Sequence, residues 1–111
     1  MDLSNFDFNA MERTRIDGMK GGLGSVFTKA GEDDTVKVID MVVPPESSIG
    51  WHVHESGWEI MFFTEGTFLV NYDGEEFTAS AGTAHYCPNG HGHSIKNVGE
   101  TDARFYAVVA K

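Results

Sequence analysis

Residues 51–59 read WHVHESGWE, and this stretch sets the direction for the rest of the chain. In a strand, alternate side chains share a face, so His52 and His54 point the same way, about 7 Å apart. The short connection ESGW would bring the next strand back beside the first, and Glu59 would then meet both imidazoles from the neighbouring strand. Two histidines and a carboxylate are a recurrent donor set for Mn, Fe, Co or Ni. The stretch therefore predicts a metal site.

The strand that begins at Glu59 carries the apolar run EIMFF. Alternation places Met61 and Phe63 on the Glu59 face, inside the fold, and turns Ile60 and Phe62 to the opposite face. We expect the inward pair to form core, and the residue nearest the metal to form a pocket wall as well.

Most of the chain after residue 22 is predicted to form short strands separated by Gly, Pro, Asn and Asp. Asp73-Gly74 is a two-residue hairpin signal, because both positions accept a positive φ. PPESSIG (44–50) predicts a break between strands, and NAMERTRI (9–16) predicts one helical turn. Many short strands with frequent turns indicate a single all-β domain, an antiparallel sandwich or barrel. The predicted strands are 25–29, 35–43, 51–54, 58–64, 67–72, 75–79, 83–87, 92–97 and 103–110.

The composition limits the partners of the chain. Among 111 residues, 17 are acidic and 8 basic, which gives a formal net charge of −9 without a cluster of Lys or Arg. We therefore expect no nucleic-acid binding, because that requires such clusters. No apolar stretch is long enough to cross a membrane, and the N-terminus lacks the features of a signal peptide, so we predict a cytoplasmic protein. With Cys87 as its single cysteine, the chain has no intrachain disulfide.

Two motifs in the sequence resemble those of the cupins. The first cupin motif is HxH, three or four residues, Glu, six residues and Gly, and residues 52–66 (HVHESGWEIMFFTEG) match it. The second is Gly, five residues, Pro-x-Gly, two residues, His, three residues and Asn, and residues 82–97 (GTAHYCPNGHGHSIKN) match every position. Residues 67–81 separate the motifs. Glu46 replaces the Gly that normally opens the first motif, a departure that affects a turn and no ligand.

The resemblance implies that residues 1–111 form one cupin domain, a jelly-roll β-barrel of antiparallel strands with a metal at its mouth. It makes His52, His54, Glu59 and His93 the ligands of one divalent metal ion per chain. Four protein ligands leave two open positions on a six-coordinate ion, which favours Mn, Fe, Ni or Co, with Zn also possible.

The cupins host several chemistries, so the resemblance implies a small metalloenzyme of the dioxygenase, isomerase, decarboxylase or lyase type. Its substrate would be a small polar organic molecule chelated at the metal. The alternative is a non-catalytic, metal-dependent binding or sensor protein for a small organic acid or sugar. A general base near the open positions of the metal would favour the enzyme.

Several residues near the predicted metal are candidates for the pocket lining. Along AHYC (84–87), alternation turns either His85 and Cys87 or Ala84 and Tyr86 inward, and the sequence leaves both options open. Cys87 is expected to be a small buried hydrophobe. The pocket candidates are Met61, Phe63, His85, Tyr86 and His91, the last at the surface or the pocket rim.

Basic residues near the predicted pocket are few. Lys37 and Arg104 are the candidates on strands, whereas Lys96 has the wrong parity relative to His93. We therefore expect small dicarboxylates, keto acids or short polyols as ligands, with the metal as their main polar anchor.

The resemblance and the open edges of a small β-sandwich both favour a homodimer. Residues 1–20 have no obvious core of their own, and we predict that they form an extended arm or an edge strand that lies across the partner. Trp51 and Trp58 flank the metal loop and are expected to pack in the core or between subunits, with a gate at the pocket entrance as the alternative.

Overall fold

The structure is a computed structural model, and it describes residues 2–111. Ten strands form two sheets that face each other, and two short 3₁₀ turns, Phe8–Ala10 and Met19–Gly21, lie near the N-terminus. Nothing helical within residues 2–111 has the length and apolar character of a membrane span. The strands are β1 (Thr14–Asp17), β2 (Ser25–Glu32), β3 (Val36–Val43), β4 (Ser48–Val53), β5 (Glu59–Glu65), β6 (Thr67–Tyr72), β7 (Glu75–Ser80), β8 (Ala84–Cys87), β9 (Gly92–Asn97) and β10 (Ala103–Ala110).

The two sheets divide the strands six to four. The larger sheet has the order β1-β2-β3-β10-β5-β8 and the smaller one β4-β9-β6-β7, with all neighbours antiparallel. The predicted all-β, antiparallel jelly roll is confirmed. The barrel is not closed, however, because no backbone ladder within residues 2–111 joins an edge of one sheet to the other. Side chains between the two layers therefore hold them together.

Local predictions in the first half of the chain need two corrections. The helical turn predicted at 9–16 is largely wrong, because residues 14–17 pair with β2 as the edge strand β1. The predicted break at 44–50 is too long, since β4 already begins at Ser48, which pairs with Lys96 of β9. Only the two prolines at its start lack a backbone donor, so pairing can resume after them. The Asp73-Gly74 hairpin is confirmed, with φ of 52° and 91°.

A further correction bears directly on the site. β4 and β5 do not pair with each other: β4 pairs with β9, and β5 lies between β10 and β8. The connection ESGW crosses from one sheet to the other. Glu59 consequently faces the histidines across the interior, not from a neighbouring strand.

Beyond Met61 along β5, aromatic rings fill the interior. Phe63, Phe68 and Phe105 are each no more than 2% exposed, and their ring centres are 5.1–6.2 Å apart. Phe68 comes from the smaller sheet and the other two from the larger sheet. Edge-on and tilted contacts of this kind add to the stabilisation that area burial provides. This cluster is the main apolar link between the layers.

One buried polar side chain, Asn97, lies at the far end of β9 and is fully satisfied. Its amide nitrogen donates to the carbonyl oxygens of Val43 and Thr101, both at 2.8 Å. Its oxygen accepts the backbone N–H of Gly99, also at 2.8 Å. Asn97 therefore ties the end of β9 to β3 and to the turn before β10.

The backbone that follows the turn Met19–Gly21 packs directly on β4. A Cβ atom on Gly22 would lie 2.2 Å from the carbonyl oxygen of Ser48, and one on Gly50 would lie 2.2 Å from that of Lys20. Glycine is needed at both positions because the two backbones touch. The contact fixes the 19–21 turn against the strand that carries His52.

Candidate metal centre

The four predicted ligands come together at one end of the interior. His52 lies on β4, His54 directly after it, and His93 lies on β9 as the cross-strand partner of His52. Glu59 opens β5 and reaches the three rings from the opposite sheet. One ligand atom from each of the four residues lies within 4.8 Å of all the others. Both sheets thus contribute to the cluster.

The turn Pro88-Asn89-Gly90 and its neighbour hold His54 in place beyond the end of β4. The backbone N–H of His54 donates to the carbonyl oxygen of His91 at 3.0 Å, and that of Gly90 donates to the carbonyl oxygen of His54 at 2.6 Å. These bonds continue the antiparallel pairing of β4 and β9 by one residue pair. The Pro-x-Gly turn of the second motif therefore positions His54, which is the second histidine of the first motif.

The distances between the ligand atoms test whether a metal ion would fit. His93 Nε2 lies 3.2 Å from His52 Nε2, 3.1 Å from His54 Nε2 and 2.9 Å from Glu59 Oε1, and His54 Nε2 lies 3.2 Å from Glu59 Oε1. With metal–ligand bonds of about 2.1 Å, neighbouring ligands are about 3.0 Å apart in an octahedron and about 3.4 Å apart in a tetrahedron. The observed distances of 2.9–3.2 Å suit an ion at the centre and lie on average nearer the octahedral value.

The protonation of the cluster also suits a cation. The Nδ1 of His52 lies 2.8 Å from the carbonyl oxygen of Gly50, which can only accept, so Nδ1 carries the proton and Nε2 offers a lone pair to the centre. Burial lowers the pKa of His52, which keeps the ring neutral. Burial acts to raise the pKa of Glu59, but hydrogen bonds and charge interactions with His54 and His93 outweigh it and lower that pKa to about 2. The carboxylate is therefore ionised.

An open cavity of about 400 Å³ lies in front of the cluster. Three lysines line it, Lys20, Lys37 and Lys111, which is notable in a chain with a net charge of −9. Glu55, in the connection between β4 and β5, also lines it and does not belong to the cluster. A smaller space of about 30 Å³ continues inward past His52 and Glu59 to Met61. The cluster thus separates an open, charged space from a narrow apolar one.

The structure distributes the predicted pocket residues over several places. Met61 lines the inner space, whereas Phe63 lies deeper, in the aromatic core, and lines neither space. Of the two alternatives for β8, His85 and Cys87 face inward, with 6% and 0% exposure, because Met61 is the cross-strand partner of His85. Tyr86 faces outward, and its side chain packs edge-on against Trp58 on the outer surface.

His91 lies outside the cluster. It stacks on the ring of Tyr72, and its Nδ1 makes a close contact with a carboxylate oxygen of Asp73. Trp51 is half exposed and covers Gly92, where a Cβ atom would meet the indole at 2.5 Å. These side chains support the loop that holds His54, and they do not line the cavity.

Of the three lysines that line the cavity, the sequence predicted only Lys37. Lys37 lines it as a strand candidate should, but Arg104 instead faces Glu65 at 3.6 Å on the other side of the sheet. Lys20 and Lys111 are far from the motifs in sequence. The run GMKGGLG (18–24) indicates a turn, yet nothing in it indicates that the turn would reach the metal end.

Comparisons with known proteins identify relatives of this chain in sequence and in fold. Residues 39–109 match the cupin domain family. The oxalate-binding protein of Thermotoga maritima is 34% identical over 101 residues, which span 86% of this chain and 84% of that protein. The crystal structure of a Thermotoga maritima protein described as a predicted oxalate decarboxylase has a TM-score of 0.89 and 30% identity, over 94% of this chain and 96% of that chain.

More distant structures share the fold alone. An RmlC-like cupin from Shewanella frigidimarina has a TM-score of 0.81 at 17% identity, over 99% of this chain and 91% of that chain. The match over most of the chain, the two motifs and the convergent His/Glu cluster lead to one conclusion: this chain belongs to the cupin family.

Proposed function

We propose that this protein binds one divalent metal ion through His52, His54, Glu59 and His93, and that the metal-loaded site chelates a small dicarboxylate, of which oxalate is the best candidate. The observation that carries the proposal is the spacing of the four ligand atoms at the base of a cavity lined by lysines. The donor set and its octahedral spacing favour Mn, Fe, Co or Ni.

The ligand class follows from what the cavity offers. A bound ion would supply positive charge and two open coordination positions, which is what a bidentate oxyanion requires. Lys20 and Lys37 would then balance the charge of a dianion that the protein's own net charge of −9 repels. The space behind the cluster towards Met61 is only about 30 Å³, so a ligand bound at the ion cannot extend inward, and a short dicarboxylate suits the site. The Thermotoga maritima oxalate-binding protein supports this choice.

A second candidate function is the decarboxylation of oxalate to formate and carbon dioxide, which consumes one proton. The observation that favours it is the position of Glu55, a carboxyl group that lines the cavity without belonging to the ligand cluster. In the protonated state it could deliver the proton that formate needs. The solved relative described as a predicted oxalate decarboxylase agrees with this second candidate.

Calorimetry with and without metal tests the binding of oxalate, and an assay for formate tests the decarboxylation. Protein loaded with Mn²⁺ should bind oxalate at one site per chain, and chelator-treated protein should not. Lys37→Met should weaken oxalate binding without changing Mn²⁺ binding, and Lys96→Met on β9, away from the cavity, is the matched control. Oxalate binding that survives removal of the metal would contradict the proposal. Release of formate that disappears in Glu55→Gln would favour the second candidate.

We also propose a homodimer, with the outer face of the larger sheet as the contact. Trp58, Phe62, Tyr86 and Tyr106 are 38–55% exposed there, and Phe62 and Tyr106 are cross-strand partners. A second copy placed over this face would cover the aromatic rings and shield the edge strand β8.

Light scattering at micromolar concentration should give twice the chain mass, and Phe62→Glu should reduce it to that of a monomer. Val98→Glu, at an exposed apolar position outside this face, is the control. A monomeric wild-type protein would contradict the dimer.

A further inference from the structure

Directly behind the proposed metal ligand His93 lies a second buried histidine, His85. The Nε2 atom of His85 is 2.9 Å from the Nδ1 atom of His93, and the two side chains are 6% and 0% exposed. His85 comes from β8 of the larger sheet and His93 from β9 of the smaller one. The contact therefore bridges the layers on the side of His93 that faces away from the cluster.

The protons in this contact can be assigned once a metal is considered. The Nε2 of His93 faces His52, His54 and Glu59, so Nε2 is the atom that would bind an ion. A neutral imidazole that gives its Nε2 lone pair to a metal carries its proton on Nδ1. That proton then points at the Nε2 of His85, which must accept it, and His85 must carry its own proton on Nδ1.

The surroundings of His85 keep it able to accept. The rings of Tyr72 and Phe77 pack edge-on against it at 5.5 Å, and Met61 is its cross-strand partner. The Nε2 atom of His85 faces the Nδ1 atom of His93 directly, so its lone pair lies in position to accept that proton. The same aromatic walls leave the ring little room to rotate.

His85, Cys87 and His93 could instead form a second metal site, since their donor atoms lie within 4.8 Å of one another. A metal there would require the Cys87 thiolate, but the Sγ atom lies 3.5 Å from the carbonyl oxygen of His91, where a thiol donates a hydrogen bond. It would also require His93 to bridge two ions as an imidazolate. The hydrogen bond satisfies both histidines without either demand.

We propose that His85 is a positioning residue: by accepting the Nδ1 proton of His93, it orients that ring and directs its Nε2 lone pair at the metal. The proposal rests on metal binding by the cluster described above. His52 has the same arrangement with a backbone carbonyl as the acceptor, whereas for His93 a side chain fills this role. His85 lies inside the second motif without being a proposed ligand, and this contact gives it a role.

Metal affinity and ring protonation test this together. His85→Phe keeps a planar ring but removes the acceptor, and the affinity for Mn²⁺ and Zn²⁺ should fall roughly 10- to 100-fold. His85→Gln restores an acceptor oxygen and should recover most of the affinity. Tyr86→Phe, on the same strand but facing outward, should bind like wild type. Thermal unfolding of the metal-free variants shows whether each one folds.

In Zn²⁺-loaded protein with ¹⁵N-labelled histidine, His85 should carry its proton on Nδ1 and His93 on Nδ1 as well; the chain has only five histidines to assign. Three results would overturn the proposal: unchanged affinity in His85→Phe, a proton on Nε2 of His85, or a second Zn²⁺ that is lost in Cys87→Ser. If His85→Phe does not fold, the metal affinity of His85→Gln and the protonation of His85 in the wild-type protein test the proposal. A wild-type protein without metal affinity would overturn the proposed function, and with it this role for His85.

Discussion

The space between the two sheets has a polar end and an apolar end, and both are built from the same strands. Along β5, Glu59, Met61 and Phe63 face inward in turn, with 8%, 0% and 2% exposure. Along β9, His93 is followed on the inward face by Ile95, which is 1% exposed. Strand alternation therefore decides which residues face inward. The chemistry of those side chains decides whether an end of the interior forms an apolar core or a cluster of polar ligand atoms.

The two ends satisfy their side chains differently. At the apolar end, each aromatic ring meets another at 5.1–6.2 Å and requires nothing further. At the polar end, His93 Nε2 has two imidazole nitrogens and a carboxylate oxygen within 3.2 Å, and a single proton can serve only one of them. A cation serves all of them. The polar end therefore has the donor set that a cation could bind, whereas the apolar end needs no further contact.

The largest effect is expected from removing two ligands at the polar end. The His52→Ala/His54→Ala variant should lose the metal entirely, from about one ion per chain to none by elemental analysis. It should still fold, because neither residue belongs to the aromatic core, and the free energy of unfolding of the metal-free protein should change by about 1 kcal/mol or less.

His91→Ala is the matched control: it removes an imidazole outside the cluster and keeps the backbone carbonyl that accepts from His54, so the metal content should stay unchanged. Full metal occupancy in the double variant would mean that the ion binds elsewhere and that the two ends do not differ as described.

The next largest effect is expected at the apolar end. Phe68→Ala would leave a cavity between the sheets, because the ring is 0% exposed and contacts both Phe63 and Phe105. The free energy of unfolding should fall by about 3–5 kcal/mol in urea denaturation. The folded fraction should still bind one metal ion per chain. Val98→Ala, at a 48% exposed position, should change the stability by no more than about 0.5 kcal/mol.

The smallest effect concerns the buried polar residue of the apolar end. Asn97→Ala would leave the carbonyl oxygens of Val43 and Thr101 without their donor, at a cost of about 1–3 kcal/mol in unfolding free energy. Metal affinity should stay the same, because Asn97 is not in the cluster. A large loss of affinity in this variant would show that the two ends are coupled along β9.

The sequence was sufficient to predict the features that depend on strand alternation and on the spacing of the motifs. It predicted that Met61 and Phe63 face inward, and it brought together the four residues that form the cluster. It could not choose a face for β8, because a four-residue strand alternates equally well in either phase. Pairing with β5 makes that choice, since it sets His85 opposite Met61.

Tertiary packing determines the features that the sequence did not predict. The sequence placed Glu59 beside the histidines on a neighbouring strand, but the connection ESGW crosses between the sheets. Lys20 and Lys111 reach the cavity from positions distant in sequence, and the bond between His85 and His93 joins strands from different sheets. No local pattern carries information about contacts of this kind.

The touching backbones of Gly22 and Gly50 have a consequence for any mutational scan of this protein. Gly22 has a φ of −74°, which every residue type can adopt, so space and not conformation excludes other residues there. A side chain at either position would push the 19–21 turn off β4 and carry Met19 and Lys20 away from the cavity. Both glycines would score in a ligand-binding selection as if they contacted the ligand, although neither lines the cavity.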